Sequence, residues 1–256
     1  RIAAANADGE HCLMVSNGNI FETSWYMRGF ERMFLDWAVN PELAHAIMGR
    51  VTDFYVEHFS RMLAAADGAV DLSFTADDIA GQNGLLMSIP MWETFLKPYH
   101  VRLNAAIHEF GVKVIYHTDG AATEMVPGLI DAGIDVLQAL QFSAVGMDPG
   151  VLKERFGDRL CFEGGVSVQT TLPFGTPDDV RREVREILEA QVIDVLQQRV
   201  GKGRRVAVDK IQLQTHAATG GFDKTVVVTE VVVRGLIHTE NFGGLAGCQG
   251  VRDRSD

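Results

Sequence analysis

A chain of 256 residues, 46% of them hydrophobic, can bury a sizeable core and fits one large domain or two small ones. Its formal net charge of −11 argues against a nucleic-acid surface, which needs a basic face to displace counterions, and no apolar run reaches the ~18 residues of a membrane span. Three widely separated cysteines, Cys12, Cys161 and Cys248, suggest neither a disulfide framework nor a compact zinc knuckle, so a reducing cytoplasm is the expected compartment.

The sequence opens with Arg1 rather than Met and reads as starting inside a longer reading frame or after a processing cut. Residues 24–38 place Trp25, Phe30, Met33, Phe34 and Trp37 at helical spacing, which predicts one amphipathic helix. Asn40-Pro41-Glu42 predicts the next helix start: Asn40 caps, Pro41 fits the first position and Glu42 suits the positive end of the dipole. Leu43, Ile47, Val51, Phe54, Tyr55, Phe59 and Met62 would form its apolar stripe. From Val70 onward short apolar runs alternate with helical patterns. The expected order is strand 70–75, helix 90–110 closed by Gly111, strand 112–117, helix 123–132, strand 134–138, helix 148–156, strand 159–163 and helix 177–190. Four β-α units in series predict a parallel sheet with right-handed crossovers. An open doubly wound sheet and a closed (β/α)8 barrel both fit. With neither a G-x-G-x-x-G fingerprint nor a G-x-x-x-x-G-K phosphate loop present, a TIM-type barrel is preferred. Beyond Ala190 the character changes: residues 191–256 hold 9 Lys or Arg against 7 Asp or Glu, whereas residues 1–190 hold 14 against 27. The valine-rich stretches 206–213 and 225–233 read either as two antiparallel strands or as an out-of-frame end.

The chemistry concentrates where strands end. His117 and Asp119 close the run Val112 to Gly120 two positions apart, so both side chains leave the strand on one side, and Gly120 permits the tight turn that follows. Imidazole and carboxylate could ligate a divalent ion, or Asp119 could raise the basicity of His117 for acid-base work. After the strand at 70–75, the loop Asp77-Asp78-Ile79-Ala80-Gly81-Gln82 offers Asp78 as a catalytic candidate and Gln82 as a substrate contact, while Asp77 reads as loop solvation or capping. Glu163 would face the same mouth as His117 if their strands are neighbours but one, in a substrate-binding role. Tyr116 points the opposite way into packing, and Cys161 reads as a buried structural thiol. His45, His58, His100 and His108 fall in helical segments and read as surface residues, as do Arg28 and Arg102.

Several of these stretches share a pattern. Phe21-Glu22-Thr23-Ser24-Trp25-Tyr26-Met27-Arg28-Gly29-Phe30, Asp77-Asp78-Ile79-Ala80-Gly81-Gln82-Asn83-Gly84-Leu85-Leu86, Tyr116-His117-Thr118-Asp119-Gly120, Gly146-Met147-Asp148-Pro149 and Phe162-Glu163-Gly164-Gly165-Val166-Ser167 resemble the uroporphyrinogen decarboxylase superfamily. The likeness covers about residues 10–190. It implies a (β/α)8 barrel, here incomplete at the N-terminus, with residues 1–190 as the partial barrel domain and 191–256 as a tail outside the family. It also implies one of two chemistries. Uroporphyrinogen decarboxylases remove carboxylates from a tetrapyrrole without a cofactor; the methyltransferase-like branch moves a methyl group between a corrinoid, often on a partner protein, and a thiol or other acceptor. In that branch the strand-end motif is His-x-Cys, which holds zinc with a further cysteine. Here Asp119 takes the cysteine position, leaving His117 and Asp119 as the metal ligands, and Cys248 lies in the unmatched tail. The resemblance thus implies methyl transfer first and tetrapyrrole decarboxylation second; a non-catalytic ligand-binding barrel or an inactive fragment is the third reading, from a different class.

Overall fold

Strand β1 (Met14–Gly18) opens the described chain and is a strand that the sequence reading missed. Its MVSNG run has two apolar residues and no sustained alternation, so only its pairing with a later strand reveals it. The computed structural model describes residues 13–199, 210–214 and 230–234, with side chains over 13–190.

Helix α1 (Ile20–Arg28) and helix α2 (Phe30–Val39) divide the single helix expected over 24–38. Gly29, at φ +90°, breaks it: its N–H closes α1 on the Trp25 carbonyl at 2.7 Å, and its own carbonyl accepts from Met33 N at 2.9 Å to start α2. Helix α3 (Pro41–Ala66) starts as expected, with the Asn40 side chain accepting from Leu43 N. Its buried stripe is Ala44, Met48, Val51, Thr52, Tyr55, Phe59 and Leu63, so the expected stripe is rotated and Phe54 is 62% exposed.

Strand β2 (Leu72–Ala76) leads into a two-residue-per-arm hairpin, β3 (Ala80–Gly81) and β4 (Gly84–Leu85). The helix expected over 90–110 is two, α4 (Ile89–Phe95) and α5 (Lys97–His108), because Pro98 can neither donate to the turn before it nor let that turn continue. Strand β5 (Lys113–His117), a 3-10 turn (Thr123–Met125), α6 (Val126–Asp131), β6 (Val136–Gln138), α7 (Pro149–Phe156) and β7 (Cys161–Phe162) follow in the expected order. Asp148 caps α7 by accepting from Val151 N at 2.9 Å. The chain then forms α8 (Thr171–Phe174) and α9 (Pro177–Arg199), and α9 runs past the expected end at Ala190. Strands β8 (Lys210–Gln214) and β9 (Glu230–Arg234) pair antiparallel, apart from the main sheet.

The main sheet has five parallel strands in the order β1-β2-β5-β6-β7, with helices between successive strands: a partial TIM-type barrel. Its core is sealed on the helical side by Met33, Met48, Phe59, Trp92, Leu103 and Ile107. Cys161 is half-buried, where the sequence predicts a buried residue. Among the described residues no helix is long and apolar enough to cross a membrane.

Candidate active site

Register decides which side chains can meet. Ala76 of β2 pairs with His117 of β5, and His117 with Gln138 of β6, so three strands end at one level and their loops share one edge. At that edge His117 Nε2 lies 4.0 Å from Asp78 Oδ1 and 4.0 Å from Asp119 Oδ2. Ligand-type atoms of the three residues all fall within 4.8 Å of one another, a grouping that could hold a metal ion. The other nitrogen of the ring, Nδ1, is in hydrogen-bond contact with Gln138 Oε1, and the ring stacks on Phe74.

Backbone bonds stitch the loops together. Asp119 N donates to Asp78 Oδ1 at 3.0 Å, Ile79 N to Thr118 Oγ1 at 3.2 Å, and Thr118 N to the Gln138 carbonyl at 2.8 Å. Gly120 N donates to Gln141 Oε1 at 3.0 Å, and Gln141 Nε2 donates to Gln82 Oε1 at 2.8 Å, which places Gln82 on the exposed rim. Gly120 sits at φ +85°, and a Cβ there would stand 2.6 Å from the Gly81 carbonyl oxygen, so the tight turn read from sequence requires glycine.

Directly beneath lies a buried network that corrects two expectations. Asp77 is not solvated: it is wholly buried, accepts from Glu22 N at 2.9 Å through Oδ1 and pairs with His100 Nε2 at 2.7 Å through Oδ2. His100 is accordingly an interior residue, 4% exposed, rather than a surface one. Tyr116 packs inward as expected, donating its hydroxyl to the Asp77 carbonyl at 3.1 Å; burial above all, then the nearby carboxylates of Asp77, Asp78 and Glu22, push its pKa well above the ordinary tyrosine value. Glu22, unmarked in the reading of single residues, accepts from Asp78 N at 3.3 Å and from Asn19 Nδ2 at 2.7 Å. Its charge is the first cause raising the pKa of Tyr26, with burial, Asp78 and Asp77 adding to it, so α1 brings a further carboxylate and an exposed phenol to this mouth.

Glu163 is exposed, and its strand β7 is indeed the neighbour but one of β5, yet it lies outside the Asp78, His117 and Asp119 group. His45 bonds Tyr99, His58 stacks on Phe54 and His108 pairs with Asp135, all away from the site. Arg28 is paired with Asp36 and Arg102 with Asp53.

Chemically, the cluster is one nitrogen and two carboxylates around a common point. An amide oxygen only accepts, so a proton on Nδ1 suits this contact and leaves Nε2 facing the acids. Such a donor set is completed by a cation, either a proton on Nε2 or a divalent ion of borderline to hard character. Ligands of a tetrahedral zinc with bonds near 2.1 Å sit about 3.4 Å apart. The observed 4.0 Å spacings are within a small χ rotation of that, and the half-exposed Asp78 and Asp119 side chains have room to make it.

Comparison with known proteins gives three findings. The family model for uroporphyrinogen decarboxylase (URO-D) matches residues 1–198. A methylated-thiol–coenzyme M methyltransferase of Methanosarcina mazei is 29% identical over 168 residues, 66% of this chain and 42% of the relative. A solved methyltransferase from Methanosarcina mazei superposes with a TM-score of 0.62 at 18% identity, over 74% of this chain and 53% of the other, a likeness of fold. The chain thus spans about half the length of these relatives or less.

Proposed function

We propose, from the premise that this chain belongs to the uroporphyrinogen decarboxylase family, that it serves methyl transfer between a corrinoid and a small acceptor, with residues 1–190 as the catalytic unit and 191–256 as a separate tail. The observation that carries this is the convergence of Asp78, His117 and Asp119 at one strand edge, in a chain related to a methylated-thiol–coenzyme M methyltransferase.

In this reading the acceptor is a thiol or similar nucleophile that enters the mouth, and Gln82 and Glu163 contact it from the rim. Without a bound ion, the Nε2 lone pair of His117 takes up its proton, and the carboxylates of Asp78 and Asp119 stabilise the imidazolium so formed. The new bond forms between sulfur and the methyl carbon. The methyl–corrinoid bond breaks with its electron pair left on the corrinoid, whether that corrinoid is free or carried by a partner protein. His117, Asp78 and Asp119 would hold a zinc-like divalent ion with a coordination position left open; when bound, such an ion would stabilise the acceptor as its thiolate.

The decarboxylase alternative asks for cations to grip tetrapyrrole carboxylates. Both arginines considered for that task are committed to aspartates, and the mouth presents Glu22, Asp78 and Asp119 instead. The test is elemental analysis and cobalt(II) absorption of the protein and of His117→Ala, beside methylcobalamin-to-thiol transfer and uroporphyrinogen turnover. Stoichiometric metal and thiol methylation, both lost in His117→Ala, are expected. Absence of metal from both proteins removes the zinc role, and uroporphyrinogen turnover without methyl transfer replaces this reading by the decarboxylase. Inertness in every assay, with a broad or absent thermal transition, leaves the inactive fragment; inertness with cooperative unfolding leaves the ligand-binding barrel.

A further inference from the structure

We propose that Gln138 is the positioning residue of the site: it holds His117 as the Nδ1–H tautomer and thereby aims the Nε2 lone pair at Asp78 and Asp119. The proposal rests on the reading of His117 as a working residue but concerns a residue that neither the sequence pattern nor the acid cluster singles out.

Its basis is geometric. Gln138 is the cross-strand partner of His117 in a parallel pair, one of the closest placements two side chains on neighbouring strands can have. Its amide oxygen lies in hydrogen-bond contact with His117 Nδ1, and its backbone carbonyl accepts from Thr118 N at 2.8 Å, so the two ends of the residue hold consecutive positions of the β5 terminus. Phe74 fixes the plane of the ring from the other neighbouring strand. With the ring plane and one nitrogen both held, the direction of Nε2 is set before any ligand arrives.

The choice of an amide has a chemical sense. A histidine in water favours the Nε2–H tautomer, which here would point a proton at the acids and a lone pair at the lone pairs of Gln138 Oε1. The hydrogen bond at one ring nitrogen decides which form is present at the other. A glutamate at 138 would select the same tautomer but add a further negative charge to a mouth that already carries Glu22, Asp78 and Asp119. Glutamine selects it at no cost in charge. Were the amide reversed, its NH2 would donate to Nδ1 and the proton would move to Nε2; the two arrangements are spectroscopically distinct.

The experiment uses the whole chain labelled with 15N-histidine, freed of metal by chelator, at about pH 8, above the ordinary histidine pKa of ~6.5. Long-range 1H–15N correlation reads which ring nitrogen carries the proton, and His117→Ala identifies the signal. Wild type and Gln138→Glu are expected to show His117 protonated on Nδ1. Gln138→Leu is expected to move it toward Nε2–H and to weaken cobalt(II) binding about 10–100-fold, as loss of a ligand's outer hydrogen bond does elsewhere. His117 protonated on Nε2 with Nδ1 bare in wild type overturns the proposal, as does a Gln138→Leu spectrum with the Nδ1 proton unmoved. The wild-type spectrum decides even if Gln138→Leu fails to fold. Failure of wild type to bind cobalt removes the metal role argued above and leaves the tautomer readout standing.

Discussion

Asp119 stands where the family resemblance implies a thiolate ligand, and replacing it tests what a carboxylate does there. Asp119→Cys puts a soft ligand beside His117, so zinc affinity should rise on the order of tenfold relative to manganese, measured by competition with a chromophoric chelator; equal gains for both metals would show that position 119 does not ligate. The turn behind it is equally specific. Gly120→Ala must place a Cβ at 2.6 Å from the Gly81 oxygen at φ +85°, and should cost at least about 1–3 kcal/mol in urea unfolding. The residues that follow strand ends were legible in the sequence because strand periodicity alone places His117, Asp119 and Asp78 at one edge. Gln138, Glu22 and His100 were not, because each acquires its role from a partner 21, 56 or 23 positions away that only register or packing brings near.

Among the elements, α5 does more than cover the sheet. It delivers His100 to Asp77 beneath the β2 end, and Asp77 in turn anchors the first turn of α1 through Glu22 N. Removing the imidazole with His100→Leu leaves a buried carboxylate without one of its partners and should destabilise the protein by about 3 kcal/mol, seen as a lower urea midpoint at unchanged slope; a loss under ~1 kcal/mol would show that Asp77 finds another partner or is not charged. The alternation of strands and helices from 70 to 190 was readable because each unit carries its own punctuation, as Asp148-Pro149 does for α7. Element breaks were harder. The apolar spacing of residues 24–38 runs straight through Gly29, and that of 90–110 runs through Pro98, so periodicity continues where the backbone does not. Strand β1 had no periodicity to read at all.

For the molecule as a whole, Asp135 ties α5, β5 and β6 together, accepting from His108 Nε2, Lys113 Nζ and Val114 N at 2.8, 2.8 and 2.9 Å. Burial pulls its pKa up, but these hydrogen bonds outweigh it and hold the carboxyl below the ordinary carboxylate value. A depressed native pKa gives stability that is present above the unfolded carboxyl pKa of ~3.9 and lost as the pH falls through the native value. Asp135→Asn should therefore lower stability near neutrality and flatten the acid limb of the stability profile; an unchanged acid limb would show that Asp135 is not a source of it. The strand order has a temporal meaning too. Because β1, β2, β5, β6 and β7 lie side by side in the order in which they are made, each strand leaving the ribosome finds its docking edge already synthesised, and none has to be inserted between two older ones. The mouth is then built in sequence: the acid after β2 waits, the imidazole arrives with β5, and the amide on β6 turns it the right way last.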